Sequence, residues 1–99
     1  MKGLALKCSD KDNVAVVFYE HLPAGTELTV KDRRGNISLI RVREEIPYGH
    51  KVALVPISKG EDVIKYGESI GIAVKDIAVG EYVHVHNMES KRGRGDWEE

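Results

Sequence analysis

The sequence is poor in the features that usually declare a function. It has one cysteine, Cys8, so no internal disulfide can form, and the expected location is a reducing cytoplasm. A small half-buried side chain in a first strand describes Cys8 better than a reactive thiol does. No charge of one sign dominates: 15 Lys and Arg stand against 16 Asp and Glu. That balance excludes the basic face a nucleic-acid binder needs and gives no reason to expect an anionic membrane as partner. Apolar runs last a few residues, far short of a membrane span, and the first ten residues hold no apolar core of signal-peptide length. There is no Ser/His/Asp motif, phosphate loop or paired-cysteine metal site. No segment sustains helical periodicity; Glu44–Ile46 or Asp76–Ala78 can form a single helical turn at most.

A turn rhythm is present instead. An apolar residue recurs three before a glycine and another three after it: Leu22-x-x-Gly25-x-x-Leu28, Ile46-x-x-Gly49-x-x-Val52, Ile57-x-x-Gly60-x-x-Val63, Ile64-x-x-Gly67-x-x-Ile70 and Ile77-x-x-Gly80-x-x-Val83. Glycine can take a positive φ at a tight turn, and each flanking strand then buries one residue. The gaps are too irregular for a solenoid. Between the breaks, short β-rich stretches predict strands over residues 3–8, 13–19, 27–30, 37–42, 51–55, 62–65, 69–74 and 82–86. The expectation is an all-β fold of barrel-like or clip-like form, in a single domain over residues 1–90. Residues 91–99 form a charged tail, mobile unless Trp97 finds a partner surface.

Three places hold groups with chemistry. In His84-Val85-His86-Asn87, strand alternation would bury Val83 and Val85 and stand His84 and His86 together on the other face. Two imidazoles so placed can share a metal, with a third ligand from His50 or Glu68, receive an anion as cations, or simply face solvent. Gly49-His50-Lys51 puts an imidazole and an amine after a glycine turn, where free backbone N–H groups can attract an anion; exposed surface is the plainer reading. Lys65 and Glu68, flanking Tyr66-Gly67, can bind a sugar acid or pair with each other across the turn. Arg33-Arg34 reads as a solvated turn.

The runs GHK (49–51), VIKYG (63–67) and HVHN (84–87), extended by DNVAVVFY (12–19) and LPAGTELTV (22–30), resemble the SAF-type domain of the altronate and galactarate dehydratases, over nearly all of residues 12–90. Similar small proteins are the small subunits of two-subunit altronate dehydratases and of sulfolactate sulfo-lyase. The resemblance implies a β-clip fold and a hydro-lyase that removes water from a sugar acid. It implies a separate large subunit carrying most of the active site, with a divalent metal such as iron held mainly there. The short chain would then be inactive alone, and Arg92, Arg94 and Trp97 would dock on the large subunit. It makes His50, Lys51, Lys65 and Asn87 candidates for substrate binding and His84 and His86 candidates for binding metal. A stand-alone carbohydrate-binding module and the small subunit of a sulfolactate sulfo-lyase are the alternatives. Pairing of exposed clip strands into a homo-oligomer is left open.

Overall fold

The β-branched stretches fold as strands and the glycines fold as corners. The computed structural model describes residues 3–20 and 22–90; the expected tail, with Arg92, Arg94 and Trp97, lies outside the described residues. Nine strands and no helix occur among them: β1 (Gly3–Leu6), β2 (Val14–Val17), β3 (Glu27–Lys31), β4 (Ile37–Arg41), β5 (Lys51–Ala53), β6 (Asp62–Lys65), β7 (Glu68–Ala73), β8 (Tyr82–Val83) and β9 (Met88–Ser90). They form a six-stranded sheet, β4-β3-β1-β2-β5-β8, and a three-stranded sheet, β6-β7-β9. The all-β expectation holds.

Four of the five glycine motifs make one hydrogen-bonded corner. Gly49 N–H donates to the Val17 carbonyl at 2.8 Å, and Val17 N–H donates back to the carbonyl of His50 at 2.8 Å. Gly25 and Thr26 make the same exchange with Val42, Gly60 and Glu61 with Ala73, and Gly80 and Glu81 with Ala53. Their glycine φ values are 83–92°, a region closed to most L-residues. The corners come in two reciprocal pairs. In one, Gly60 holds Ala73 while Gly80 holds Ala53, and Ile57 and Ile77 exchange both backbone bonds midway. In the other, Gly25 holds Val42 while Gly49 holds Val17. The repeat in the sequence is therefore two pseudo-two-fold clips within one domain. Gly67 is the exception: Tyr66 (φ 57°) and Gly67 (φ 75°) form a two-residue hairpin turn between β6 and β7.

Each clip has its own core. The first gathers Ala5, Val17, Leu22, Leu28, Val42, Ile46 and Val52, and the second Val14, Ala53, Ile57, Val63, Ile77, Val83 and Met88. Asp12 is a buried tie between them. Its carboxylate accepts from the N–H groups of Cys8, Ser9 and, across the chain, Gly67. The three-stranded sheet packs over only one half of the large sheet. On the other half, Leu4, Leu6, Phe18, Ile37 and Leu39 share a face and stay 39–63% exposed.

The last expected strand does not run its full length. Tyr82–Val83 stays on the large sheet, but the chain then leaves it to join the small sheet at Met88, which pairs with Ala73. Residues 84–87 must make that crossing as a turn, so Val85 is 71% exposed instead of buried. Strand β9 had no sequence signal strong enough to separate it from the 82–86 stretch, and neither expected helical turn forms.

The corners make unequal demands. A Cβ on Gly80 would sit 2.2 Å from the Arg41 carbonyl oxygen, whereas one on Gly25 would meet nothing within 4 Å. Gly25→Ala should cost about 1–2 kcal/mol, the strain of a positive φ alone. Gly80→Ala should cost clearly more, read as a larger drop in urea midpoint; equal losses would contradict this account of the corners.

Candidate functional site

The two sheets meet the turn 84–87 where β5 and β8 end, and the polar residues gather there. Val52 pairs with Tyr82 and Lys51 with Val83, so neighbouring residues on β5 point to opposite faces. His50 lies on the Tyr82 side. The Tyr82 hydroxyl is 2.8 Å from His50 Nδ1, and the rings meet edge to face at 5.4 Å. His84 stacks on Tyr82, nearly parallel at 7° and 5.5 Å, and its ring centroid lies 4.9 Å from that of His50. His86 packs on Tyr82 at 5.3 Å. The three imidazoles thus form one cluster around a tyrosine. Their closeness comes from a turn and two strands, not from alternation along one strand.

Asn87 makes that turn. It is 1% exposed; its Oδ1 accepts from His84 N–H at 2.9 Å and its Nδ2 donates to the Tyr82 carbonyl at 2.8 Å. The His84 carbonyl accepts from the N–H groups of both Asn87 and Met88. Asn87 was expected among the substrate-binding residues, but its side chain is sealed inside and committed to the backbone, so it holds the histidines in place.

Lys51 points to the other face and lines an open cleft of roughly 520 Å³ with Lys65, Tyr66, Glu68, Ser69 and Ser90. Lys65 Nζ lies 5.0 Å over the Tyr66 ring. The expected anion nest of free N–H groups before Lys51 does not form: Gly49 N–H goes to Val17 and His50 N–H to the Pro47 carbonyl. The positive charge here comes from side chains. Burial, then the nearby Lys65 ammonium, hold Lys51 below the ordinary lysine range. Burial, then His50, Lys51 and His86, hold His84 below the usual 6.5. Burial, then Glu44, push Tyr82 up, which keeps its phenol neutral. Imidazoles and amines that disfavour one another's charge make a site that gains from an anion.

The structure brings His50, Lys51, Lys65, His84 and His86 into one region, with the lysine cleft and the histidine cluster adjoining at β5. Sequence reading missed Tyr82, whose only signal was its place two before His84 in a Tyr-x-His-x-His alternation. Among the described residues, no group of three or more His, Cys, Asp or Glu side chains is arranged to hold a metal ion. The described residues therefore do not supply a full ligand set by themselves. No helix among the described residues is long and apolar enough to cross a membrane.

Residues 4–91 match the family model of the altronate/galactarate dehydratase SAF domain. The chain belongs to that family. It is 44% identical over 85 residues to an altronate dehydratase of Escherichia coli, covering 86% of this chain and 16% of that protein. It is 43% identical over 83 residues to the (2R)-sulfolactate sulfo-lyase subunit alpha of Chromohalobacter salexigens, covering 82% of this chain and 87% of that subunit. It is 40% identical over 79 residues to a galactarate dehydratase of Escherichia coli, covering 79% of this chain and 14% of that protein. The SAF-domain chain thus spans about a sixth of the dehydratases it matches and most of the subunit it matches.

In this SAF domain the His84 imidazole should titrate below 6.5 by NMR, and Lys51→Met should raise its midpoint. The folded state then binds fewer protons here than the unfolded chain, so this contribution to stability falls as pH drops through and below 6.5. A His84 midpoint above 6.5, or one indifferent to Lys51→Met, would contradict the electrostatics described.

Proposed function

We propose that this SAF-domain chain is the small subunit of a cytoplasmic hydro-lyase that eliminates water from a sugar acid such as altronate, working with a larger catalytic chain and inactive alone. The observation that carries this reading is the His50, His84 and His86 cluster and the Lys51–Lys65 cleft adjoining across β5, where burial and then neighbouring cations hold Lys51 and His84 below their ordinary ranges. A substrate carboxylate relieves that repulsion, and the polyol finds hydroxyl and carboxylate partners in Ser69, Ser90 and Glu68 of the same cleft. The relatives' names and coverage support the class and the partner.

In this reading the base that removes the proton α to the carboxylate belongs to the larger chain, as does the divalent metal, iron by expectation, for which the described residues hold no ligand set. Lys51 and Lys65 hold the carboxylate and stabilise the enediolate-like charge that grows on it as the proton leaves. Charges fixed beforehand in a partly dehydrated cleft are worth more than the same charges in water. The uncovered face supports where the larger chain sits. Ile37, Lys31, Leu6, Val16 and Lys51 follow one another across five paired strands on a single face. A chain laid over the exposed Leu4, Leu6 and Leu39 therefore reaches the lysine cleft and roofs it. The near-full coverage of a sulfo-lyase subunit favours a second reading, sulfolactate as substrate in the same cleft.

The test is reconstitution with the large subunit, assayed anaerobically with iron on altronate, galactarate and sulfolactate. Lys51→Ala with Lys65→Ala, and separately His84→Ala with His86→Ala, should each lower kcat/KM about 100-fold or more, the loss of one or two charge-assisted hydrogen bonds. Full activity in both variants, or robust turnover by the short chain alone, would overturn the proposal. A preference for sulfolactate would select the second reading.

A further inference from the structure

Tyr82 is held more firmly than a surface aromatic requires. Its N–H donates to Glu44 Oε2 at 3.1 Å, and its carbonyl accepts from Asn87 Nδ2 at 2.8 Å. Two side chains thus fix the backbone of one residue from opposite sides in sequence. Its ring contacts three imidazoles at 5.3–5.5 Å, and its hydroxyl meets a ring nitrogen of His50. The buried Asn87 and the half-buried Glu44 both act through Tyr82.

We infer that Tyr82 is a positioning residue of the anion site: its hydroxyl donates to His50 Nδ1 and fixes the Nε2–H tautomer, while its ring face holds His84 and His86 beside it. The chemistry follows from the inventory of the two groups. A neutral imidazole carries one N–H and one acceptor nitrogen, and the partner of one decides the other. A neutral phenol donating its proton to Nδ1 leaves Nε2 as the N–H, a hydrogen-bond donor suited to a carboxylate oxygen. Without the phenol, both tautomers are populated and only part of the molecules present that donor. Tyr82 touches no substrate in this scheme; it acts through His50. The functional meaning rests on the anion-binding reading above, but the tautomer itself does not.

The experiment is two-bond ¹H–¹⁵N correlation NMR of the ¹⁵N-labelled chain near pH 8.5, where imidazoles are neutral. Wild type should show His50 with Nδ1 unprotonated and Nε2 protonated. Tyr82→Phe keeps the ring and removes the hydroxyl, so His50 should become a tautomer mixture while the signals of His84 and His86 hold. Tyr82→Leu removes the ring as well and should shift all three. An Nδ1–H tautomer in wild type, or a His50 signature unchanged in Tyr82→Phe, would overturn the inference. Titration with D-altronate separates the two levels. A wild-type chain with the expected tautomer that shows no response to altronate, even with the large subunit present, counts against the substrate reading and leaves the positioning role standing. Altronate binding weakened about tenfold in Tyr82→Phe supports both, and equal binding in the two removes the functional role.

Discussion

The paired backbone exchange at the glycine corners is the interaction on which the rest of the molecule depends. At each corner a strand end gives its carbonyl to a glycine N–H and takes back the carbonyl of the next residue. Two such corners facing each other close a clip, and two clips make the domain. The arrangement satisfies the backbone of chain that would otherwise run as loop, which a chain of 99 residues with a modest core can ill leave unpaired. It also explains why the apolar residues sit three positions from each glycine: Leu22, Ile46, Ile57 and Ile77, which precede the four corners, are buried to 2% exposure or less.

The site is a consequence of how the second clip ends. Gly80 fixes Glu81 and Tyr82 against β5, and the chain must then cross from one sheet to the other within four residues. A turn that tight needs its carbonyls and amides satisfied locally, and Asn87 does so from inside. The histidines are what remains on the outside of the turn. They close on His50 because β5 and β8 are hydrogen-bonded neighbours. Lys51 and Lys65 approach from the opposite face, so the charges that would repel are held close by strands that have no freedom to separate them. Charges held together in this way are what the proposed anion binding draws on.

Much of this was legible in the sequence, and the rest fails for identifiable reasons. The glycine rhythm and β-branched runs located eight strands, the 62–65 strand to the residue. Family resemblance marked His50, Lys51, Lys65, His84 and His86, which the fold brings into one region. What sequence could not reveal is where a chain changes sheets. Val83 and Val85 alternate like one strand, yet only Val83 is buried, because Met88 has to reach Ala73. The same crossing turned Asn87 from a candidate ligand into an internal latch and set Tyr82 against all three imidazoles. Asp12 was hidden for a similar reason: its most distant partner, Gly67, is 55 positions away, and local pattern carries no information at that range.

The most direct test of the central claim, that this face of the SAF domain completes a carboxylate site on a larger chain, is a crystal structure of the two-chain complex with a bound sugar acid. The account predicts the acid's carboxylate within about 3 Å of Lys51 or Lys65, with the partner covering Leu4, Leu6 and Leu39. A complex in which the acid lies wholly inside the larger chain, with this face open to solvent, would contradict it.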